Sequence, residues 1–342
     1  MTTLILGIES SCDETAAAVV ADGRHVLANV VATQLDLHAQ YGGVFPELAA
    51  RAHIAQIYPV IQTALQQAQV TWTDLTAIAV TQGPGLAGSL LVGVQAAKGI
   101  AVASELPLLG IHHLEGHIYA LWLTEYANQI EFPLLVLLVS GGHTDLFLMS
   151  GHLQYQRLGG TRDDAAGEAY DKVGRMLGLP FPGGPHLEKV ARSGDPHAFA
   201  FPASPQSGWD FSFSGLKTAV LRQLQQLAPG VAIGRVPPPA GLPIADIAAS
   251  FQHAAITLLV QKTIAAADHF NARAILVAGG VSANRALQAA LQAQAGAHPV
   301  FVPPLALCTD NAAMIAAAGF YRWQAGMRGN LDFDIRPTWA LG

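Results

Sequence analysis

The chain is short of charge, of cysteine and of long apolar runs. Only 12% of its 342 residues are Asp, Glu, Lys or Arg, against 51% hydrophobic. Two cysteines, Cys12 and Cys308, cannot staple a small secreted fold, so the disulfide-scaffold class is excluded. Mean hydropathy is +0.34, yet no uninterrupted apolar run approaches the ~20 residues of a membrane helix. The excess comes from alanine-rich stretches and from buried runs such as Leu134 to Val139. The segment Met1 to Glu14 has no basic region and meets acids early, unlike a secretory signal. The expectation is a cytoplasmic protein long enough to bury two cores.

Positive charge is scarcest at the start. Residues 1–130 carry three basic side chains (Arg24, Arg51, Lys98) against ten acidic ones, while residues 131–342 carry fifteen against fourteen. Phosphate neutralisation dominates nucleic-acid affinity, so tight RNA binding by this chain alone is not expected. One local basic stripe stands out: Arg157, Arg162, Lys172, Arg175, Lys189 and Arg192. It reads either as an RNA-facing surface or as ordinary solvated helix faces.

What is present is a repeated grammar. Leu4 to Glu9 reads as a buried strand, Ser10 to Glu14 as a turn, Thr15 to Val20 as a returning strand and His25 to Val31 as a third. The pattern returns at Leu134 to Val139, the turn Ser140-Gly141-Gly142-His143, Thr144 to Met149, and a strand near Leu153 to Leu158. Later parallel strands follow, Leu75 to Val80 and Ala274 to Ala278. This predicts an α/β protein of two lobes, 1–130 and 131–342, with the last helix and tail free to pack back on the first. Two strand-turn-strand units opening two halves fit the actin-like, sugar-kinase (ASKHA) architecture, with duplicated mixed sheets and an interlobe cleft. Periodicity alone does not separate this from a generic doubly wound sheet.

Three stretches carry chemistry. On a helix, His113 and His117 stand one turn apart on one face and can offer two imidazoles to one metal ion. His112 points off that face, and Cys308-Thr309-Asp310-Asn311 could supply an anionic third ligand. Ser140-Gly141-Gly142 suits an anion, because backbone N–H groups approach oxygens closely where no Cβ intervenes. Gly279-Gly280, between a strand and a helix, is a resting place for a base or ribose. Asn284 there is either a ligand contact or a helix N-cap. Gly83-Pro84-Gly85-Leu86 opens a small-residue helix without a phosphate-loop lysine and reads as close packing between lobes or subunits. Arg235-Val236-Pro237-Pro238-Pro239-Ala240-Gly241 reads as an exposed insert. Cys12 and Cys308 read as buried filler rather than nucleophiles.

These motifs, in order along nearly the whole chain, resemble the bacterial branch of the tRNA adenosine N6-threonylcarbamoyltransferase family, once misnamed O-sialoglycoprotein endopeptidase. The matching stretches are Gly7 to Thr15, Tyr41 to Ala49, Gly83 to Leu86, His112 to His117, Leu138 to Thr144, Asp163 to Ala169 and Tyr170-Asp171-Lys172. Phe211 to Lys217, Gly279 to Arg285 and Cys308 to Asn311 complete the set. The resemblance implies transfer of threonylcarbamoyl from threonylcarbamoyl-adenylate to N6 of the adenosine 3′ of the anticodon, with release of AMP. It implies a divalent metal on His113, His117 and Asp310, Fe(II) favoured and zinc using the same atoms. It implies substrate contacts at Leu138, Val139, Ser140, Gly141, Gly142, Asp171, Gly184, Glu188 and Asn284. Many relatives have aspartate where this chain has Glu188. Implied partners are tRNA, a shorter metal-less paralogue (TsaB-type) and a small ATPase (TsaE-type). Asp13 is the residue we expect to accept the amine proton, against the alternative that it bonds its own turn.

Two other readings of the residues are a metalloprotease and a small-molecule kinase. Zincins place a glutamate directly after the first histidine; here Leu114 holds that place. A kinase has no use for a paired-histidine helix.

Overall fold

A computed structural model describes residues 2–202, 208–230, 233–234 and 241–342. Residues 235–240 of the expected Pro-rich insert lie outside the described residues. Among the described residues, ten strands form two five-stranded sheets. The first holds β1 (Leu4–Glu9), β2 (Glu14–Ala21), β3 (His25–Thr33), β4 (Ala77–Gly83) and β5 (Leu108–His112). The second holds β6 (Leu134–Val139), β7 (Thr144–Gly151), β8 (Gln154–Gly160), β9 (Ala274–Ala278) and β10 (Val300–Phe301).

The two sheets have the same order. The first runs β3-β2-β1-β4-β5 and the second, read from the same side, β8-β7-β6-β9-β10. In each, the opening strand pairs antiparallel with the next strand and parallel with a later one. The opening strands β1 and β6 sit centrally and are buried almost throughout, which is why they read as continuous apolar runs. The strands β5 and β10 carry no signal long enough to be expected. β5 is a five-residue run ending in histidine, and β10 has two residues.

By contacts the chain divides into two units. Unit 1 is Met1–Ile130, Gly151–Tyr155 and Pro303–Gly342; unit 2 is Glu131–Ser150 and Gln156–Val302. The closing segment thus belongs with the start of the chain. Counted by unit, the charge contrast persists: unit 1 has six basic and thirteen acidic side chains, unit 2 twelve and eleven.

In unit 1 the helices Pro46–Ala68 and Ala87–Ser104 pack Ile57, Ile61, Leu65, Val94 and Ala97 against Leu6, Ile8, Ile78 and Val80. The sheet's other face meets the helix Ala312–Gln324, and two glycines make that approach feasible. A Cβ on Gly7 would collide with the Ala312 carbonyl, and one on Gly116 would stand 2.7 Å from Ile315 Cδ1. In unit 2, Leu135, Leu137 and Val139 pack with Phe211, Phe213 and Phe251. Each such fully buried side chain contributes roughly 1.5–3 kcal/mol.

Among the described residues, two helices are long and apolar enough on average to cross a membrane: Ala87–Ser104, with mean hydropathy 1.3, and Ile244–His269, with 1.2. Uninterrupted runs miss them, because Gly, Ser, Gln and Lys break the run without lowering the average much. Ile244–His269 is largely a core helix, burying Ile247, Phe251, Leu258 and Leu259. Ala87–Ser104 buries one face and leaves Leu91 and Val102 exposed. The glycines at its start serve packing inside unit 1: Gly85 faces the Ser11 backbone, Gly88 the Ala50 Cβ and Gly93 the Ser10 hydroxyl.

Candidate functional site

His113 and His117 lie on the short helix His113–Tyr119, directly after β5. Asp310 precedes Asn311, which caps the helix Ala312–Gln324 by accepting from the Met314 N–H at 3.1 Å. That helix packs on Gly116, so the close approach also delivers Asp310. Asp310 Oδ1 lies 3.1 Å from His117 Nε2 and 3.6 Å from His113 Nε2. The three ligand atoms fall within 4.8 Å of one another. His117 is buried, and neither of its ring nitrogens makes a hydrogen bond; Nε2 stands near Asp310 but out of line for one. Two imidazole nitrogens and a carboxylate around one point, with a buried imidazole left unbonded, fit a divalent metal ion.

A carboxylate that sequence reasoning missed holds the first histidine. Glu9, the buried last residue of β1, places Oε2 3.1 Å from His113 Nδ1, and Ser11 Oγ is at the same distance from that nitrogen. Glu9 also accepts from Thr81 Oγ1 at 2.6 Å and from the Ser11 N–H at 2.5 Å. A partner on Nδ1 leaves Nε2 facing Asp310, the arrangement in which a ligating histidine is oriented by a carboxylate behind it. Burial opposes charging His113, yet Asp310 and Glu9 outweigh it and push its pKa up to about 9. Burial works to raise the Glu9 carboxyl, but His113 beside it holds it below the usual range. The signal in the sequence was an acid ending an otherwise apolar strand.

Glu115, between the two histidines, is committed elsewhere. Arg322 Nε and Nη2 donate to its two oxygens at 2.9 and 2.6 Å, both side chains largely buried. A glutamate held bidentately by arginine cannot act as the base of a peptidase.

Asp13 and Glu14 stand at the β1–β2 turn of unit 1. The Asp13 carbonyl accepts from the Gln34 N–H at 3.1 Å. Burial, then Asp13 alongside, push Glu14 up to about 9, so it is protonated at neutral pH. Burial and the same acids push the Cys12 thiol far up, which excludes a thiolate nucleophile. Cys308 is buried and donates to the Pro303 carbonyl at 3.1 Å.

In unit 2 the β6–β7 turn is Ser140-Gly141-Gly142-His143. The Ser140 N–H donates to the His143 carbonyl at 2.8 Å, and the His143 N–H to Ser140 Oγ at 3.1 Å. A Cβ at Gly141 or Gly142 would meet nothing within 4 Å, and neither has a left-handed φ. Neither packing nor backbone conformation therefore requires glycine at these two positions. Leu138 and Val139 are the buried end of β6 leading into the turn.

The remaining expected contacts all lie in unit 2. Asp171 Oδ1 accepts from the Gly183 and Gly184 N–H groups at 2.8 and 3.2 Å, which anchors the start of the helix Gly183–Ala191. Glu188 Oε1 lies 3.3 Å from both Arg192 Nη2 and the Arg285 N–H. Asn284 is the N-cap of the helix Arg285–Gln294, its Oδ1 accepting from Leu287, while its Nδ2 donates to Gln252. The cap reading of Asn284 is thus realised, and its amide is fixed in direction.

Most of the basic stripe is matched by carboxylates. Arg157 bonds Asp145, Arg162 bonds Asp210, Lys172 bonds Asp164 and Glu168, and Arg192 bonds Glu188. Asp164 also bonds Lys217, and Asp163 accepts from the Phe213 and Ser214 N–H groups. The Asp163-Asp164 and Phe211-to-Lys217 motifs are therefore one network.

Solved structures share this architecture. HypF from T. kodakarensis superposes with a TM-score of 0.63 at 14% identity, over 95% of this chain and 48% of that one. Component A of the Acidaminococcus fermentans (R)-2-hydroxyglutaryl-CoA dehydratase gives 0.53 at 16% identity, over 94% and 99%. At such identities the likeness concerns the fold. Fold and site together define an α/β protein with the actin-like, sugar-kinase (ASKHA) fold, with a triad able to hold a metal ion in one unit and an open glycine turn in the other. The sequence profile of the family described as tRNA N6-adenosine threonylcarbamoyltransferase matches residues 25–317. Relatives bearing that name include one from Symbiobacterium thermophilum, 54% identical over 99% of this chain and 97% of its own length. Another, from Geobacillus kaustophilus, is 51% identical over 98% and 96%. The chain belongs to the tRNA N6-adenosine threonylcarbamoyltransferase family and is a transferase that modifies tRNA.

Proposed function

We infer that the chain transfers threonylcarbamoyl from threonylcarbamoyl-adenylate to N6 of the adenosine just 3′ of the anticodon, releasing AMP. The observation that carries this reading is the meeting of His113, His117 and Asp310 in a member of this family. The two units are its lobes, and the protein works in the cytoplasm. His113, His117 and Asp310 hold one divalent ion, Fe(II) favoured over zinc by the two-histidine, one-carboxylate set. When bound, such an ion supplies Lewis acidity toward donor oxygens.

The chain's own residues position the rest. Ser140, Gly141 and Gly142, with Leu138 and Val139 leading in, cradle the adenylate phosphate through backbone N–H groups. Asp171 and Glu188 accept from ribose hydroxyls, which an ionised carboxylate does well. Gly184 leaves room at that edge, and Asn284 presents its amide. The N6 nitrogen forms a bond to the carbamoyl carbon, and the bond from that carbon to the phosphate oxygen breaks. AMP departs with the electron pair, and Asp13, beside protonated Glu14, accepts the amine proton. AMP is a good leaving group, so orientation supplies most of the rate.

Partners divide by unit. The exposed apolar residues Ile54, Tyr58, Leu91 and Val102 on the two long helices of unit 1 suit a helical protein face, here assigned to the TsaB-type paralogue. A TsaE-type ATPase joins that assembly, and RNA approaches the less acidic unit 2.

Radiolabelled threonine, bicarbonate, ATP, tRNA, the donor-making enzyme and the two partners, with and without this chain, test the reading. Label entering tRNA only when the chain is present is expected. Peptide hydrolysis or phosphorylation of a small molecule, with no labelled tRNA, would overturn it. Asp13→Asn with full transfer from pre-made donor would remove Asp13 as proton acceptor.

A further inference from the structure

The closing segment forms a strap over unit 1 that the reaction above does not use. After the helix Ala312–Gln324 it has neither helix nor strand, yet it is tied down repeatedly. Lys98 Nζ donates to the Phe333 carbonyl at 2.6 Å and Gln82 Nε2 to the Asp334 carbonyl at 2.7 Å. The Arg336 N–H donates to the Gln82 carbonyl at 2.7 Å and the Gly85 N–H to the Pro337 carbonyl at 3.1 Å. Phe333 and Ile335 pack on the core. Leu341, the residue before the last, is buried as well.

Near its end the strap reaches His112. His112 Nε2 lies 3.1 Å from the Trp339 carbonyl, and the two rings are 4.7 Å apart. A carbonyl only accepts, so Nε2 carries the proton. In the neutral ring Nδ1 is then the acceptor, and it takes the Leu114 N–H at 3.2 Å. That N–H is among the donors left without an intrahelical partner at the start of His113–Tyr119, and His112 is the helix's N-cap. One carbonyl at the C-terminus thereby selects the tautomer that caps the helix carrying two candidate ligands.

We propose that the C-terminal strap positions the metal helix through His112: Trp339 fixes the ring's tautomer and His112 fixes the helix start. His112 is a positioning residue, not a ligand. The proposal rests on the metal reading of His113, His117 and Asp310, and its test separates the two.

Four chains are compared: full length, a chain ending at Pro337, His112→Ala, and His112→Asn. Zn²⁺ affinity is measured by competition with a chromophoric chelator, and the His112 tautomer by ¹⁵N shifts of labelled histidine. The chain ending at Pro337 is expected to bind Zn²⁺ roughly ten-fold more weakly, the scale of lost outer support at metal sites. Its His112 Nδ1 signal should move toward the protonated range. His112→Ala should lose as much affinity, and truncation should add nothing to it. His112→Asn, a good N-cap too short for the strap, should recover affinity with or without the tail. Unchanged affinity and tautomer in the truncated chain, with only a lower melting temperature, would overturn the proposal. If the truncated chain does not fold, full-length His112→Ala binding Zn²⁺ as tightly as the parent overturns it. A parent that takes up no Zn²⁺ removes the metal reading instead, while the tautomer shift still decides the coupling.

Discussion

The turn after β1 and the turn after β6 occupy equivalent places in one repeated strand order, and their contents are opposite. The first is crowded with side chains from its own unit: Glu9 and Ser11 meet His113, Thr81 donates to Glu9, and Asp13 presses on Glu14. The second presents Gly141 and Gly142 to open space. One copy of the duplicated turn packs its acids beside a residue group able to hold a cation. The other is bare backbone. Net charge follows the same division, −7 in unit 1 and +1 in unit 2.

The largest test of this contrast acts on the candidate metal group of unit 1. His117→Ala deletes a buried candidate ligand that makes no hydrogen bond in the fold. It should abolish stoichiometric metal and lower transfer by about 100-fold or more, with metal content read by elemental analysis. Wild-type metal content in that variant would break the assignment of unit 1.

Next in size is a pH effect confined to unit 1. The folded pKa values of His113 and Glu14, both about 9, lie above their ordinary values. The folded state binds the extra protons, so this stabilisation is complete below the unfolded pKa values and is lost as pH rises toward 9. Metal-free protein should lose up to roughly 3 kcal/mol for the His113 group between about pH 6.5 and 9, on the scale of 1.36 kcal/mol per pKa unit. Urea unfolding at a series of pH values measures it. Metal affinity should climb over the same window, because binding displaces the His113 proton.

Gly142→Val sharpens the other side. Its Cβ would meet nothing, so stability should move by less than about 0.5 kcal/mol. Donor binding should weaken about ten-fold or more, seen as a raised KM for the adenylate. A variant that keeps the parental KM would mean that the open turn holds no phosphate.

The smallest effect belongs to the basic stripe. Arg162→Glu repels its partner Asp210 but removes a cation that was already paired. The slope of log affinity for tRNA against log salt should change by less than one contact's worth, about 0.9. A larger change would make Arg162 a direct phosphate contact.

How much of this was legible depended on the kind of pattern. Runs such as Leu134 to Val139 gave strands at their observed bounds, because a strand buried on both faces has no polar interruptions. The four-residue spacing of His113 and His117 was legible because helix geometry is local. The arrival of Asp310 depends on a helix packing across Gly7 and Gly116, so the sequence could offer its segment as a source of a third ligand but not place it. Glu9 was invisible as a partner because a buried carboxylate at a strand end gives no clue to what faces it. The pairing of the stripe Arg157 to Arg192 was not legible, because its acids come from residues 145, 164 and 210 as well as from the adjacent helices. The strap Phe333 to Leu341 has no period at all and is held mainly through backbone atoms that sequence does not distinguish.

Asp310 and His117 stand roughly 190 residues apart along the chain, so an ion shared between them would close a long loop of the polypeptide. Loop closure grows only slowly in cost with length, and a species that binds the folded chain alone shifts its equilibrium by mass action. Occupancy of three side chains would then set how firmly the last forty residues are sewn to the first strand. A chelator should expose that hem to a protease before anything else in unit 1 comes loose.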